Sequence, residues 1–146
     1  MNASFRISRI FAAGLSAAAL GLAGCASMSS SSRSAHVTLS GSEEVPPVAT
    51  AARGSGTITV HVDGSVSGRV TTTGLTGVAA HIHQGARGQN GPVAVGLLKT
   101  GDNAWIVPRD AILNDAQYEA FKTGNLYVNV HTAANKDGEI RGQLIP

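Results

Sequence analysis

One cysteine, Cys25, is all the thiol chemistry in this chain of 146 residues. No disulfide can form within it, and a scaffold stapled by several bridges is excluded. Aromatic residues make up only 4% of the chain and charged residues 14%, and no segment gathers lysine and arginine into a cluster. A nucleic-acid partner, which needs a basic patch, is therefore not expected. Long apolar runs are missing as well. The stretch from Ile10 to Ala23 is about 14 residues, against about 20 for a membrane-spanning helix.

What that stretch does fit is the apolar core of an export signal. Arg6 and Arg9 stand before it, and it ends in Leu22-Ala23-Gly24-Cys25. Leucine, two small residues and a cysteine form a lipobox. Small residues let a peptidase reach the chain, and the thiol carries the diacylglycerol. Cys25 is thus the expected lipidation site, and lipid there leaves the mature chain without a free thiol. Several acyl chains anchor firmly, at about 0.8 kcal/mol per buried methylene. Ala26, not aspartate, follows the cysteine. The expected location is the cell envelope, lipid-anchored, at an outer membrane facing the periplasm or the cell surface.

The organisation that follows is a signal over residues 1–24, a lipidated flexible tether over 25–34, and one folded domain over 35–146. Arg6 and Arg9 leave with the signal, so the mature chain carries nine basic and nine acidic residues and is neutral.

Within the domain, short β-rich runs alternate with Gly, Pro, Asn and Asp. Gly54 to Val62 sets Ile58, Val60 and Val62 on one face and Thr57, Thr59 and His61 on the other. Asp63-Gly64 is a two-residue hairpin signal, and Ser65 to Thr73 reads as the return strand. Further strands are expected at 37–39, 78–83, 92–98, 103–107, 126–132 and 139–145. One short helix is expected after Asn114, with Gln117 completing a capping box and Gly124 ending it. The fold class is all-β: an antiparallel sandwich or flattened barrel with one short helix.

Five histidines remain in the mature chain: His36, His61, His81, His83 and His131. His81 and His83 alternate on one strand, so they share a face, with Cα atoms about 6.6 Å apart. In the strand 126–132, Leu126, Val128 and Val130 form the apolar side and Tyr127, Asn129 and His131 the other. All three histidines thus sit on non-core faces. If their strands are neighbours, three imidazoles can meet at one metal ion, at about 2.0–2.1 Å each. His61 shares that phase and is either a fourth ligand or an ordinary exposed strand histidine. Cu(II) and Zn(II) suit such a site. A blue-copper centre is excluded, because no thiolate is free and Met28 lies in the tether.

Three charged residues stand out besides. Glu44 lies in a proline-stiffened segment, and either pairs with Arg141 or supplies a carboxylate near the histidines. Glu139 and Arg141 share a strand face and can anchor neighbouring loops. The glycine-rich stretch 85–91 lacks the following helix that a phosphate cradle needs. No nucleophile triad and no pair of catalytic carboxylates is evident, so an enzyme is not expected.

Four segments, LSGSEEVPPV (39–48), AHIHQGARGQNGPV (80–93), GNLYVNVHT (124–132) and GEIRGQL (138–144), resemble the signature segments of the CHRD domain, in its order and spacing. The resemblance covers about residues 36–145. It implies an immunoglobulin-like or superoxide-dismutase-like Greek-key sandwich, set outside the cell membrane, without a settled activity. Its marked positions fall on Glu44, His81, His83, His131, Glu139 and Arg141. The His-x-His strand and the glycine-rich loop are also similar to the copper strand of Cu/Zn superoxide dismutase. That enzyme needs six histidines, an aspartate and a disulfide, which this chain cannot supply, so dismutase activity is not expected. The resulting expectation is an envelope lipoprotein holding Cu(II) or Zn(II) through a surface histidine cluster, His81, His83 and His131. The alternative is a structural or adhesive binding module without metal.

Overall fold

The computed structural model describes residues 31–146. The expected signal and lipobox, with Cys25, lie outside the described residues. Among the described residues nine strands form one antiparallel sheet, with one short α-helix and a single 3-10 turn at Gly41–Glu43. In chain order they are β1 (Ser32–Ser40), β2 (Arg53–His61), β3 (Val66–Thr73), β4 (Gly77–Gln84), β5 (Val93–Gly96), β6 (Leu98–Gly101), β7 (Ala104–Ile106), helix α1 (Asp115–Lys122), β8 (Leu126–Thr132) and β9 (Ile140–Leu144). Across the sheet the order is β5-β4-β8-β9-β1-β2-β3-β7-β6.

The two edge strands, β5 and β6, are consecutive in the chain and joined by Leu97 alone. Leu97 is buried, and its N–H donates to the Ala80 carbonyl of β4 at 2.9 Å. The chain therefore steps from one edge of the sheet to the other, and the sheet curls into a nearly closed, sandwich-like barrel. This step also explains why the single strand expected over 92–98 is two short ones.

The alternation read from the sequence fills the interior. Leu39, Ile58, Val60, Val70, Ile82, Leu126, Ile140 and Leu144 are buried, with Trp105 and Phe121 as the large aromatic fillers. Burying one such side chain contributes about 1.5–3 kcal/mol. Val62, expected on the core side, is 57% exposed because it lies beyond the end of β2, in the turn. That turn pairs His61 with Ser65 around three residues, with Gly64 at φ +81°, rather than the expected two-residue hairpin. Helix α1 has the expected capping box: Asn114 Oδ1 accepts from the Gln117 N–H and Gln117 Oε1 accepts from the Asn114 N–H. Gly124 follows it at φ +72°.

Two expectations need correction here. The ordered strand begins at Ser32, so residues 32–34, assigned to the tether, pair with His61, Val60 and Thr59 of β2. The face of β8 opposite the core is not open to solvent. Tyr127 and Asn129 are only 2% and 3% exposed. Two loops, after β1 and after β4, fold over β4, β8 and β9 there, and they bury Glu44, Arg141 and Gln143 as well.

Candidate metal centre

The site is built on β4 and β8. Their register sets His81 opposite Asn129, His83 opposite Tyr127, and Ala79 opposite His131. His131 is thereby the diagonal neighbour of His81, close enough for long side chains to touch. The rings of His81 and His131 have centroids 4.8 Å apart, and those of His83 lie 5.5 Å from His81 and 6.0 Å from His131. One ring nitrogen from each of the three comes within 4.8 Å of the others.

Hydrogen bonds to backbone carbonyls assign the tautomers of two rings. His83 Nδ1–H donates to the Gly91 carbonyl at 2.9 Å, and His131 Nδ1–H to the Lys136 carbonyl at 2.9 Å. The Nε2 of each then carries a lone pair. His131 Nε2 lies 2.9 Å from His81 Nδ1. His83 Nε2 is buried and has no hydrogen-bond partner among the described residues. A buried nitrogen lone pair left without a partner costs about 1–3 kcal/mol. Burial is also the main reason that His81 and His83 titrate below the usual imidazole value; His131 and His83 reinforce it at His81, while at His83 the Gly91 hydrogen bond opposes it and the charges of His131 and Arg141 reinforce it.

Two nitrogens bound to one ion at about 2.0–2.1 Å stand roughly 2.9–3.4 Å apart at ordinary coordination angles. The His81–His131 spacing already meets this. His83 stands farther off, with a ring nitrogen within 4.8 Å of both. A carbonyl behind each of two rings is the outer support that metal-bound histidines use to fix orientation and basicity.

Around this cluster lies a buried polar layer. The Tyr127 ring stacks on His83 with centroids 5.0 Å apart and planes 8° from parallel, and the Arg141 guanidinium carbon lies 3.4 Å from the Tyr127 ring centre. Arg141 donates to the Ala86 carbonyl at 3.1 Å and to Asn90 Oδ1 at 3.2 Å. Gln143 Nε2 donates to the carbonyls of Gly85 and Gly124. Through these bonds β9 fixes the 85–91 loop, whose Gly91 carbonyl orients His83.

The expected Glu44–Arg141 pair is not formed. Glu44 instead accepts from Asn129 Nδ2 with both oxygens, at 2.9 and 3.0 Å. Burial raises its carboxyl to about 7, partly countered by the Arg141 charge and by the Val45 and Asn129 hydrogen bonds. The ion pairs among the described residues are Arg87–Glu43 and Lys122–Glu119. Nor is Glu44 a member of the histidine cluster. Glu139 accepts from Thr132 Oγ1, Thr50 Oγ1 and Asn135 Nδ2, tying the segment after β1 to the β8–β9 turn, and these bonds hold its carboxyl below the usual value.

His61 does not reach the centre. Ser40 is level with Arg141 and so with Asn129, whereas His61 pairs with Ser32, at the far end of β1. At about 3.3 Å per residue the separation is roughly 26 Å along the strand. His36 is likewise remote, its Nδ1 3.0 Å from Thr57 Oγ1.

Tyr127, Asn129, Gln143 and Gly138 also belong to this layer. A Cβ on Gly138 would stand 2.3 Å from Asn129 Nδ2 and 2.6 Å from Glu44 Oε1. The alternation Tyr127-x-Asn129-x-His131 beside Arg141-x-Gln143 carried their signal in the sequence, once both faces of β8 and β9 are allowed to be covered.

The CHRD domain profile matches residues 35–144. The chain belongs to the CHRD domain family. No match was found among curated proteins or among solved structures. The CHRD match runs through all of the polar layer, from Glu44 to Gln143.

Proposed function

We propose that this CHRD domain binds one divalent transition-metal ion, Cu(II) or Zn(II), through His81 Nδ1, His83 Nε2 and His131 Nε2, as part of a lipoprotein anchored in the cell envelope by Cys25. The observation that carries it is the buried, partnerless Nε2 of His83 beside the 2.9 Å His81–His131 contact. One ion would satisfy that lone pair. Three neutral imidazoles leave a coordination position for water or another donor, which suits sequestration or hand-over of the ion. Irving–Williams ordering favours Cu(II) where copper is present.

Isothermal titration of the mature chain with Cu(II) and Zn(II) tests this. One equivalent should bind more tightly than about 10 μM. His83→Ala and His131→Ala should each abolish it. Binding that survives both substitutions refutes the site.

A second reading has one observation in its favour. The His81–His131 contact is by itself a good hydrogen bond, so the cluster can be part of the polar network that fixes the covering loops, in a module that binds partners without metal. On that reading added metal leaves the melting temperature unchanged.

A further inference from the structure

We propose that the face of β1, β2 and β3 that the described residues leave uncovered is a binding site for an acidic glycan, a polysaccharide bearing carboxylate or phosphate groups. It does not depend on the histidine centre. Loops close the outward face of β4, β8 and β9, but the outward face of β1, β2 and β3 carries a furrow of about 650 Å³ lined by all three strands.

The composition of this face is one-sided. Its outward positions are serine, threonine, histidine or arginine without exception. Threonine is common on strands for its backbone preference alone. That preference does not explain the charge: β1, β2 and β3 hold no aspartate or glutamate, although the mature chain has as many acids as bases.

Arg69 lines the furrow, is exposed, and pairs with no carboxylate among the described residues. Its guanidinium offers parallel donors that match a carboxylate or phosphate. Around it the hydroxyls are already oriented. Thr57, directly across from Arg69, bonds His36, and Ser34 bonds Thr59 at 2.8 Å. A hydroxyl both donates and accepts, which is what a sugar hydroxyl requires of its partner. The three strands also lack phenylalanine, tyrosine and tryptophan. Nucleobases, which bind single-strand sites largely by stacking, find no platform here. An anionic, hydroxyl-rich chain is the polymer that uses every group present.

The test is binding of the mature chain to four probes: polygalacturonate, which carries carboxylates; a phosphomannan, which carries phosphates; neutral dextran; and oligothymidine. Saturable binding of at least one acidic glycan is expected, without binding of dextran, and which one binds identifies the anionic group. Arg69→Glu and Thr57→Glu should each weaken it about tenfold at unchanged melting temperature. Arg69→Gln, which removes the charge without adding another, serves if a glutamate variant melts early. Absence of binding to both acidic glycans overturns the proposal. So does binding that the variants keep, or oligothymidine binding of equal strength.

Discussion

His131 donates through Nδ1 to the Lys136 carbonyl and presents its bare Nε2 to His81 Nδ1 at 2.9 Å. Without an ion, the proton in that contact must therefore belong to His81, as its Nδ1–H tautomer. An ion bound to His81 Nδ1 displaces the proton to Nε2 of the same ring. Zn(II) binding should thus switch the tautomer of His81 alone, while His83 and His131 keep Nδ1–H. Nitrogen-15 spectra of the imidazoles, recorded before and after one equivalent of Zn(II), distinguish the two forms. A His81 ring that stays in the Nδ1–H form would place the ion elsewhere.

Linkage sets how far a bound ion would stabilise the fold. At free Zn(II) about a hundredfold above Kd, stability should rise by about 2.7 kcal/mol. His131→Ala should erase that gain. Without metal, the same substitution should cost about 1–3 kcal/mol, because it orphans the part-buried His81 Nδ1–H. Denaturant melts of both proteins with Zn(II) and with a chelator measure the two effects separately.

Arg141 carries a different load. It is 1% exposed, stacks on Tyr127, and holds the 85–91 loop by two hydrogen bonds. Arg141→Ala should cost about 2–4 kcal/mol. Arg141→Lys should recover little of it, since an ammonium has no plane to stack and no fork to reach two acceptors. Hydrogen exchange at Gly85 and Gly91 should rise in both variants. Metal affinity should fall with it, because the Gly91 carbonyl that orients His83 sits on the released loop.

These residues mark where sequence reasoning reached and where it stopped. Alternation placed Ile58, Val60, Leu126, Val128 and Val130 in the core, and strand phase placed the three histidines together on the opposite face. Both follow from local geometry, the two-residue period of a strand. What covers a face is decided by loops distant in sequence, so alternation grouped Tyr127 and Asn129 on the face of His131 but gave no sign that this face, with Arg141, is buried. Charge complementarity suggested Glu44 with Arg141, but Asn129 neighbours Arg141 across β8 and β9 and takes the carboxylate instead. His61 had the right phase and the wrong height along β2, a distinction that only the register between strands supplies.

The Glu44 carboxyl predicts how stability follows pH. Its value is about 7 in the fold against 4.5 in the unfolded chain, chiefly through burial. Below pH 4.5 it is protonated in both states and costs nothing. Above about pH 7 it is ionised in both, and the fold carries a desolvated charge worth about 3 kcal/mol. The stability linked to this group is therefore complete in acid and is lost as pH rises between those two values. His81 and His83 act in the opposite sense, since a depressed imidazole destabilises the fold only as pH falls below 6.5. The two trends overlap in the wild-type profile. Glu44→Gln isolates one of them, because glutamine cannot ionise. Between pH 4.5 and 7 the wild type should lose stability relative to Glu44→Gln by about 3 kcal/mol, read from urea melts at matched ionic strength. A constant difference across that range would mean that Glu44 enters the fold ionised, with Arg141 and Asn129 compensating its burial in full.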